Sequence, residues 1–313
     1  MGRIASISAS PMIREFAIGA AQQNINPIAD YLAPTVDVAT ISFRFKTYAE
    51  KARFRIPDSR RSLNGDATVV GFDASDNQGL LVPHALDYPI DNLEMLETEQ
   101  LESAVQEGAM AVAEIGGLIH ERDVVLAAQT AVGVTASINV NASGMDLVQQ
   151  VDTYILNVVK AAKYGSIMGV KLLFGASAAM LFKNHPSVKS HFTVMVGNKP
   201  VVPSTVQPQD ISGLFLGNPS VRVSYMVYDS AQSGQVENIN FIMDNEMMIF
   251  ASRDTPTRRD PSFMKTFRLM GHWMVPGSYE RPDGRGEVLK FDWNELVMVT
   301  NPSACARLAF TLS

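Results

Sequence analysis

Residues 43–61 read FRFKTYAEKARFRIPDSRR, and the fold turns on what this stretch is. It carries seven basic residues (Arg44, Lys46, Lys51, Arg53, Arg55, Arg60 and Arg61) against two acids. The next sixty residues, Ser62 to Glu121, contain no Lys or Arg and twelve Asp or Glu. A segment of net charge +5 therefore abuts one of −12. Complementary patches of this kind select partner and register, so a chain that carries both tends to attract copies of itself.

Within the basic stretch, apolar and charged residues alternate. Phe43 and Phe45 oppose Arg44 and Lys46, and Ala52, Phe54 and Ile56 oppose Arg53 and Arg55, which predicts a two-stranded ribbon turning at Thr47 to Glu50. An isolated hairpin is marginal in water, so this ribbon needs a surface to lie on. Upstream, residues 1–30 are small, Ser/Ala-rich and uneven, as in an arm. From Tyr31 onward, Val36, Val38, Ile41, Phe43 and Phe45 recur at strand-like spacing.

Downstream come a Gly/Asp/Asn-rich passage and then Pro83 and Pro89. A long helical period follows through Leu93, Leu96, Leu101, Val105, Gly108, Val112, Ile115 and Ile119, with Asp91 and Asn92 as capping candidates. Carried on to Ala128, this helix exceeds thirty residues, roughly 45 Å or more. A second helix is expected from a cap at Ser143, with Asp146 three residues on and Val148, Val151, Ile155, Val158 and Ala162 on one face. Lys171 to Phe174 reads as a buried strand and Ala176 to Phe182 as a short helix running into His185-Pro186. Beyond Pro200 the pattern is mostly strand and loop: a short helix at Gln207 to Leu216, alternation at Val221, Val223, Tyr225 and Val227, and apolar runs at Met247 to Ala251, Thr266 to Trp273 and Glu295 to Val299. The sequence contains no internal repeat, low-complexity segment or clear linker, so its domains are expected to interleave.

The composition is that of a folded protein: 46% hydrophobic and 19% charged over 313 residues. One cysteine, Cys305, leaves no internal disulfide and reads as a small core residue. No export signal is expected, because Ser6, Ser8, Ser10 and Pro11 interrupt the first residues. No membrane span is expected either, because Lys171 breaks the most apolar run, Ser166 to Phe182.

Candidate chemistry is sparse. His120-Glu121-Arg122-Asp123 lacks the second imidazole of a metal helix and reads as a solvated or hydrogen-bonded helix end. His185 and His191 have no nucleophile nearby in sequence, and Gly-Ala-Ser at 175–177 is followed by Ala178 where a nucleophile elbow needs Gly. Gly165 to Gly169 lacks the ending of a phosphate-binding loop. We therefore expect no catalytic residue, no metal and no cofactor. Arg interleaved with Phe also suits stacking on single-stranded nucleic acid, but the acid-only segment downstream would repel phosphate, and a net charge of −6 is wrong for a nucleic-acid coat.

Taken in order, these segments resemble the major capsid proteins of tailed bacteriophages, whose fold is shared with encapsulin shells. Residues 26–34 (NPIADYLAP) with Val36 and Val38 resemble the segment leading out of the family's N-terminal arm, and residues 54–61 (FRIPDSRR) its extended loop. Leu93 to Ala128 resembles its spine helix, while Ser143 to Ala162, Leu173 to Phe182, His185-Pro186 and Ile211 to Val223 are similar to its axial-domain run of helix, buried strand, helix and strand.

The resemblance implies an α+β phage major capsid fold with residues 1–30 as arm and 31–90 as extended loop (a β-hairpin at about 43–61) with flanking strands. It implies a peripheral domain at 91–140 with the spine helix and returning C-terminal strands, and a mixed α/β axial domain over most of 141–313. The implied function is self-assembly into hexamers and pentamers of an icosahedral shell around double-stranded DNA, in a virion assembled in the host cytoplasm. The chain's partners would be itself, with portal, scaffolding and decoration proteins, non-specific contact to packaged DNA, and no membrane. In such a shell the loop residues Arg44, Lys46, Lys51, Arg53, Phe54, Arg55, Ile56, Arg60 and Arg61 would dock on a neighbour near Glu94, Glu97, Glu99 and Glu102 of its spine helix. An encapsulin-like compartment, a soluble α/β enzyme and a nucleic-acid-binding module are the alternatives.

Overall fold

The structure, a computed structural model, describes residues 28–48, 59–60, 74–91, 101–142, 144–162, 169–192, 194–196, 199–201, 211–232, 234–258 and 260–312. In chain order the elements are α1 (Ile28–Leu32), β1 (Thr35–Val38), β2 (Ser42–Tyr48), β3 (Ala74–Leu80), β4 (Val82–Asp91), α2 (Leu101–Ala131), β5 (Val134–Asn139), α3 (Leu147–Ala162), β6 (Val170–Phe174), α4 (Ala176–Asn184), α5 (Pro186–Phe192), β7 (Val194–Val196), β8 (Lys199–Val201), β9 (Ser220–Val223), β10 (Val227–Asp229), β11 (Ile239–Phe241), β12 (Glu246–Ala251), β13 (Met264–Leu269), β14 (Val275–Glu280), β15 (Gly286–Val299) and β16 (Cys305–Thr311). Two compact units divide them: Met1–Phe43, Gly79–Ala127 and Thr266–Met298 form the first, and Arg44–Gln78, Ala128–Lys265 and Val299–Ser313 the second.

The first unit is one long helix on a sheet. The strand order is β1-β13-β15-β14, with β4 also pairing β15. β1 runs parallel to β13, from Thr35 opposite Thr266 to Val38 opposite Leu269. Val105, Ala109, Val112 and Ala113 of α2 pack on Ile90, Met274, Leu289, Phe291 and Trp293. Gly108 and Gly116 lie on this face too, where a Cβ at Gly108 would stand 2.6 Å from the Tyr88 ring and one at Gly116 would collide with Met274. Small residues on the helix thus admit large aromatics from the sheet. Ile115, which the periodicity puts on the core face, is instead exposed, while Gly116 is buried.

β4 carries the two prolines nearest before the long helix. Pro83 and Pro89 pair with Asn294 and Val288, an even number of residues apart, so both rings sit on the same edge of the strand. Proline has no N–H for a ladder and is tolerated where that edge needs none. Asp91, a capping candidate on sequence, is the last residue of this strand, opposite Gly286. β2 pairs with β3, drawn from the Gly/Asp/Asn-rich passage, while the expected ribbon partner at 52–56 lies outside the described residues. Phe43 and Phe45 are buried and Arg44 is exposed, as the alternation requires.

The second unit is built on a mixed sheet of order β5-β16-β12-β6-β9. β12 is antiparallel to both β16 and β6, whereas β5 and β9 run parallel to their neighbours. All five residues of β6 are buried, and so are Met247 to Ala251 of β12, as continuous apolar runs in a sheet interior should be. α3 buries Leu147, Val148, Val151, Ile155, Val158 and Ala162. Its cap is Asp146, whose Oδ1 accepts the Val148 N–H at 3.0 Å and the Gln149 N–H at 3.4 Å, rather than Ser143, which lies outside the described residues. β16, for which the sequence pattern predicts no strand, lies inside the sheet between β5 and β12.

At the end of α2, Arg307 of β16 donates to the Gln129 and Val132 carbonyls at 3.0 and 3.3 Å. The helix has no basic residue in its own last turn, so this guanidinium satisfies carbonyls that would otherwise lack partners. Glu246 holds it from the other side. Cys305 is buried, and burial pushes its thiol up, as expected of an inert core residue.

Gly175 precedes α4 so closely that a Cβ would strike the Met243 and Asp244 carbonyls, while Gly133 faces open space. Gly175→Ala should lower stability by about 1–3 kcal/mol, and Gly133→Ala should change it by less than about 0.5 kcal/mol. Urea midpoints at constant slope measure both.

Candidate functional site

His120 and Glu121 sit in the body of α2, and both are buried, not at a solvated helix end. Glu295 of β15 accepts hydrogen bonds from Trp293 Nε1 at 3.2 Å and Arg268 Nη2 at 3.0 Å, and its Oε1 lies 3.2 Å from His120 Nδ1. The Arg268 guanidinium lies 3.5 Å from the centre of the Trp273 ring. Trp273 meets Trp293 edge-on at 5.8 Å, and His84 stacks on Trp293 at 5.3 Å. Burial alone would raise Glu295, but hydrogen bonding from His120 and the charge of Arg268 outweigh it and hold the carboxyl at about 2. No hydroxyl or thiol among the described residues bonds to His120, so this is a pin joining α2, β13 and β15 and not a nucleophile–base pair.

The second unit holds two further polar clusters. Lys265 Nζ donates to the Thr257 and Asp260 carbonyls at 2.7 and 2.8 Å and lies 3.2 Å from the Asp260 carboxylate. Burial depresses the Lys265 ammonium, while hydrogen bonds from Ser262 and the charge of Lys265 overcome burial and keep Asp260 low. His185 Nδ1 lies 2.7 Å from Ser187 Oγ and accepts the Ser187 N–H at 3.2 Å, fixing the start of α5. A cavity of about 560 Å³ is lined by Lys171, Asn218, Ser220, Ser252, Arg253 and Asp254 among others, with Lys171 Nζ 2.7 Å from Asp254 Oδ1. No His, Cys or Glu among the described residues lines it. Among the described residues no three His, Cys, Asp or Glu are grouped to hold a metal, and no helix is long and apolar enough to cross a membrane.

The surface is more informative. β10 and β11 form an antiparallel hairpin with Val227 opposite Phe241 and Asp229 opposite Ile239. Val227, Ile239 and Phe241 share one face and are 44%, 62% and 42% exposed, with Tyr225 at 60% in line with them. The loop between is stitched: Asp229 Oδ1 accepts the Ala231 and Asn238 N–H groups, each at 2.9 Å, and Asn240 donates to Ser230 Oγ at 2.9 Å. Those two backbone bonds also hold the Asp229 carboxyl low. An ordered hairpin thus presents bare apolar side chains to solvent. Sequence reasoning ran Tyr225 and Val227 on from Val223 as one strand and missed the return strand. The turn-forming Asp229, Ser230, Gly234 and Asn238 between two short apolar runs were the available signal. In the first unit Ile41, Leu80 and Val82 make a second exposed apolar group, tied by the Leu81 N–H to the Ile41 carbonyl at 2.9 Å.

Of the docking residues expected from sequence, Arg44 and Arg60 are described and exposed, and Lys46 and Glu102 are described in backbone only. Lys51, Arg53, Phe54, Arg55, Ile56, Arg61, Glu94, Glu97 and Glu99 lie outside the described residues.

The architecture recurs in solved structures. A phage-related protein from Bordetella bronchiseptica RB50 superposes with a TM-score of 0.68 over 96% of this chain and 97% of that one, at 15% identity. The chain has the fold of phage capsid and encapsulin shell proteins. The holo-SrpI encapsulin complex from Synechococcus elongatus PCC 7942 matches at 0.55 over 92% and 88% of the two chains, at 10% identity. The capsid of cyanophage P-SCSP1u matches at 0.52 over 90% and 87%, at 12% identity. No protein-family model and no curated protein sequence matches the chain. At these identities the likeness establishes the α+β capsid-type fold.

Glu295 gives that fold an acid dependence. Its folded-state value of about 2 lies below the ordinary 4.5, so its contribution is complete above pH 4.5 and is lost as pH falls toward 2. Acid unfolding followed by circular dichroism should show a loss of roughly 3 kcal/mol across that window, flattened in Glu295→Gln.

Proposed function

We propose that this chain is the major capsid protein of a tailed phage, building an icosahedral shell of hexamers and pentamers around double-stranded DNA. The observation that carries the reading is the capsid-type fold joined to an ordered hairpin whose apolar face, Tyr225, Val227, Ile239 and Phe241, is left bare in the single chain. Exposed contiguous apolar surface marks an interaction site. Symmetry would repeat each contact throughout a shell, so small terms add.

Charge supplies a second contact in this reading. The loop residues Arg44, Lys46, Lys51, Arg53, Arg55, Arg60 and Arg61, with Phe54 and Ile56, dock on a neighbouring copy near Glu94, Glu97, Glu99 and Glu102. Single exposed pairs give only about 0.2–1 kcal/mol. The virion is then the protein's location, and portal, scaffolding and decoration proteins its further partners. The structural role calls for no catalytic residue and no cofactor.

Two variants separate the contacts in sedimentation velocity. Arg53→Glu with Arg55→Glu, and independently Ile239→Asp with Phe241→Asp, should remove shells and capsomers while leaving a folded chain of unchanged circular dichroism. Shells persisting in the first variant would overturn the charge pairing, and shells persisting in the second would overturn the hairpin's role.

A further inference from the structure

Glu121 is 3% exposed and belongs to no part of the His120–Glu295 pin. Its Oε1 accepts the N–H of Ile28 at 2.8 Å, a bond between residues 93 apart in sequence, and the Ala29 backbone bonds it as well. Ile28 and Ala29 open α1, a helix of only five residues whose first N–H groups have no partner of their own along the chain. α1 buries Ile28, Ala29, Tyr31 and Leu32, and the Glu121 carboxyl group accepts the N–H that opens it, beside the intrahelical Ala33 to Ala29 bond of 2.7 Å.

The charges around Glu121 do not suit a carboxylate. From α1, Asp30 faces it and repels it, although Asp30 is itself bonded by Thr35 Oγ1 at 3.1 Å. From α2, His120 favours the ionised form, but its Nδ1 is committed to Glu295, which also takes Arg268. No Lys or Arg among the described residues pairs with Glu121. A buried carboxylate without a counter-charge is costly, and its neutral acid still accepts an N–H through the carbonyl oxygen.

We propose that Glu121 is a proton-controlled latch: neutral, it holds the first turn of α1 on α2, and ionised, it loosens α1 from α2. Burial outweighs the two backbone bonds and His120 and raises the group from 4.5 to about 7. Between those values the closed form keeps a proton that the open form has released, so attachment weakens as pH rises through this range and the weakening is complete above it. The full span corresponds to roughly a 300-fold change in the closing equilibrium.

Amide hydrogen exchange of residues 28–33 in the unassembled full chain, corrected for the intrinsic pH dependence of exchange, reads the latch without reference to shell formation. Protection in the wild type should fall roughly 30-fold between pH 5.5 and pH 8.5. Glu121→Gln should hold the low-pH protection at both values. Asp30→Asn removes the facing charge and should move the loss to lower Glu121 pKa, hence to an earlier midpoint on raising pH and a smaller total drop. Wild-type protection that is flat with pH, or that falls in parallel in Glu121→Gln, overturns the proposal. Should Glu121→Gln fail to fold, a midpoint unmoved in Asp30→Asn overturns it independently.

Discussion

The first unit depends on how closely a helix can approach a sheet. Ala109, Ala113, Gly108 and Gly116 leave room between Val105 and Val112 on the core face of α2, and Tyr88, Phe291, Trp293 and Met274 fill the space from the sheet. Packing of this kind is cooperative, because a helix that sits low must do so along its length. It also explains why α2 tolerates glycine at a propensity cost of about 1 kcal/mol each. The same approach brings His120 within reach of Glu295 and Glu121 within reach of α1.

Those buried polar groups fix position more than they add stability. A buried ion pair recovers its desolvation cost only where geometry is good and remaining lone pairs are filled. Glu295 meets that condition, with Trp293, Arg268 and His120 around one carboxylate. Lys265 with Asp260 and Arg307 with Glu246 meet it in the second unit, where each ties a loop or helix end to a strand. Among the described residues no Lys or Arg pairs with Glu121, and burial raises it while Glu295, bonded by His120 and Arg268, is lowered.

The α+β class, the long helix, α3 and the buried strands β6 and β12 were legible because their signal is local: a period of three to four, or a short apolar run. β3, β4 and β16 were not. β3 is written in Asn, Asp and Gly and is a strand only because β2 pairs with it, and β4 carries two prolines that only a one-sided edge admits. His120 and Glu121 looked like a solvated helix end because their partners lie 175 and 93 residues away. The docking residues were chosen by charge, and most lie outside the described residues, whereas the bare hairpin face needed the pairing of Val227 with Phe241 to be seen at all.

With this fold the single chain leaves two apolar groups exposed, one at Tyr225, Val227, Ile239 and Phe241 and one at Ile41, Leu80 and Val82. Covering such surface favours association by roughly 25 cal/mol for each Å² removed from water. Its most direct test is cryo-electron microscopy of the purified wild-type chain across a concentration series. The account predicts closed shells of discrete diameter with a wall one subunit thick, in which the β10–β11 hairpin of each copy is covered by another. A small particle of a few copies at every concentration, with that hairpin still facing solvent, would contradict it.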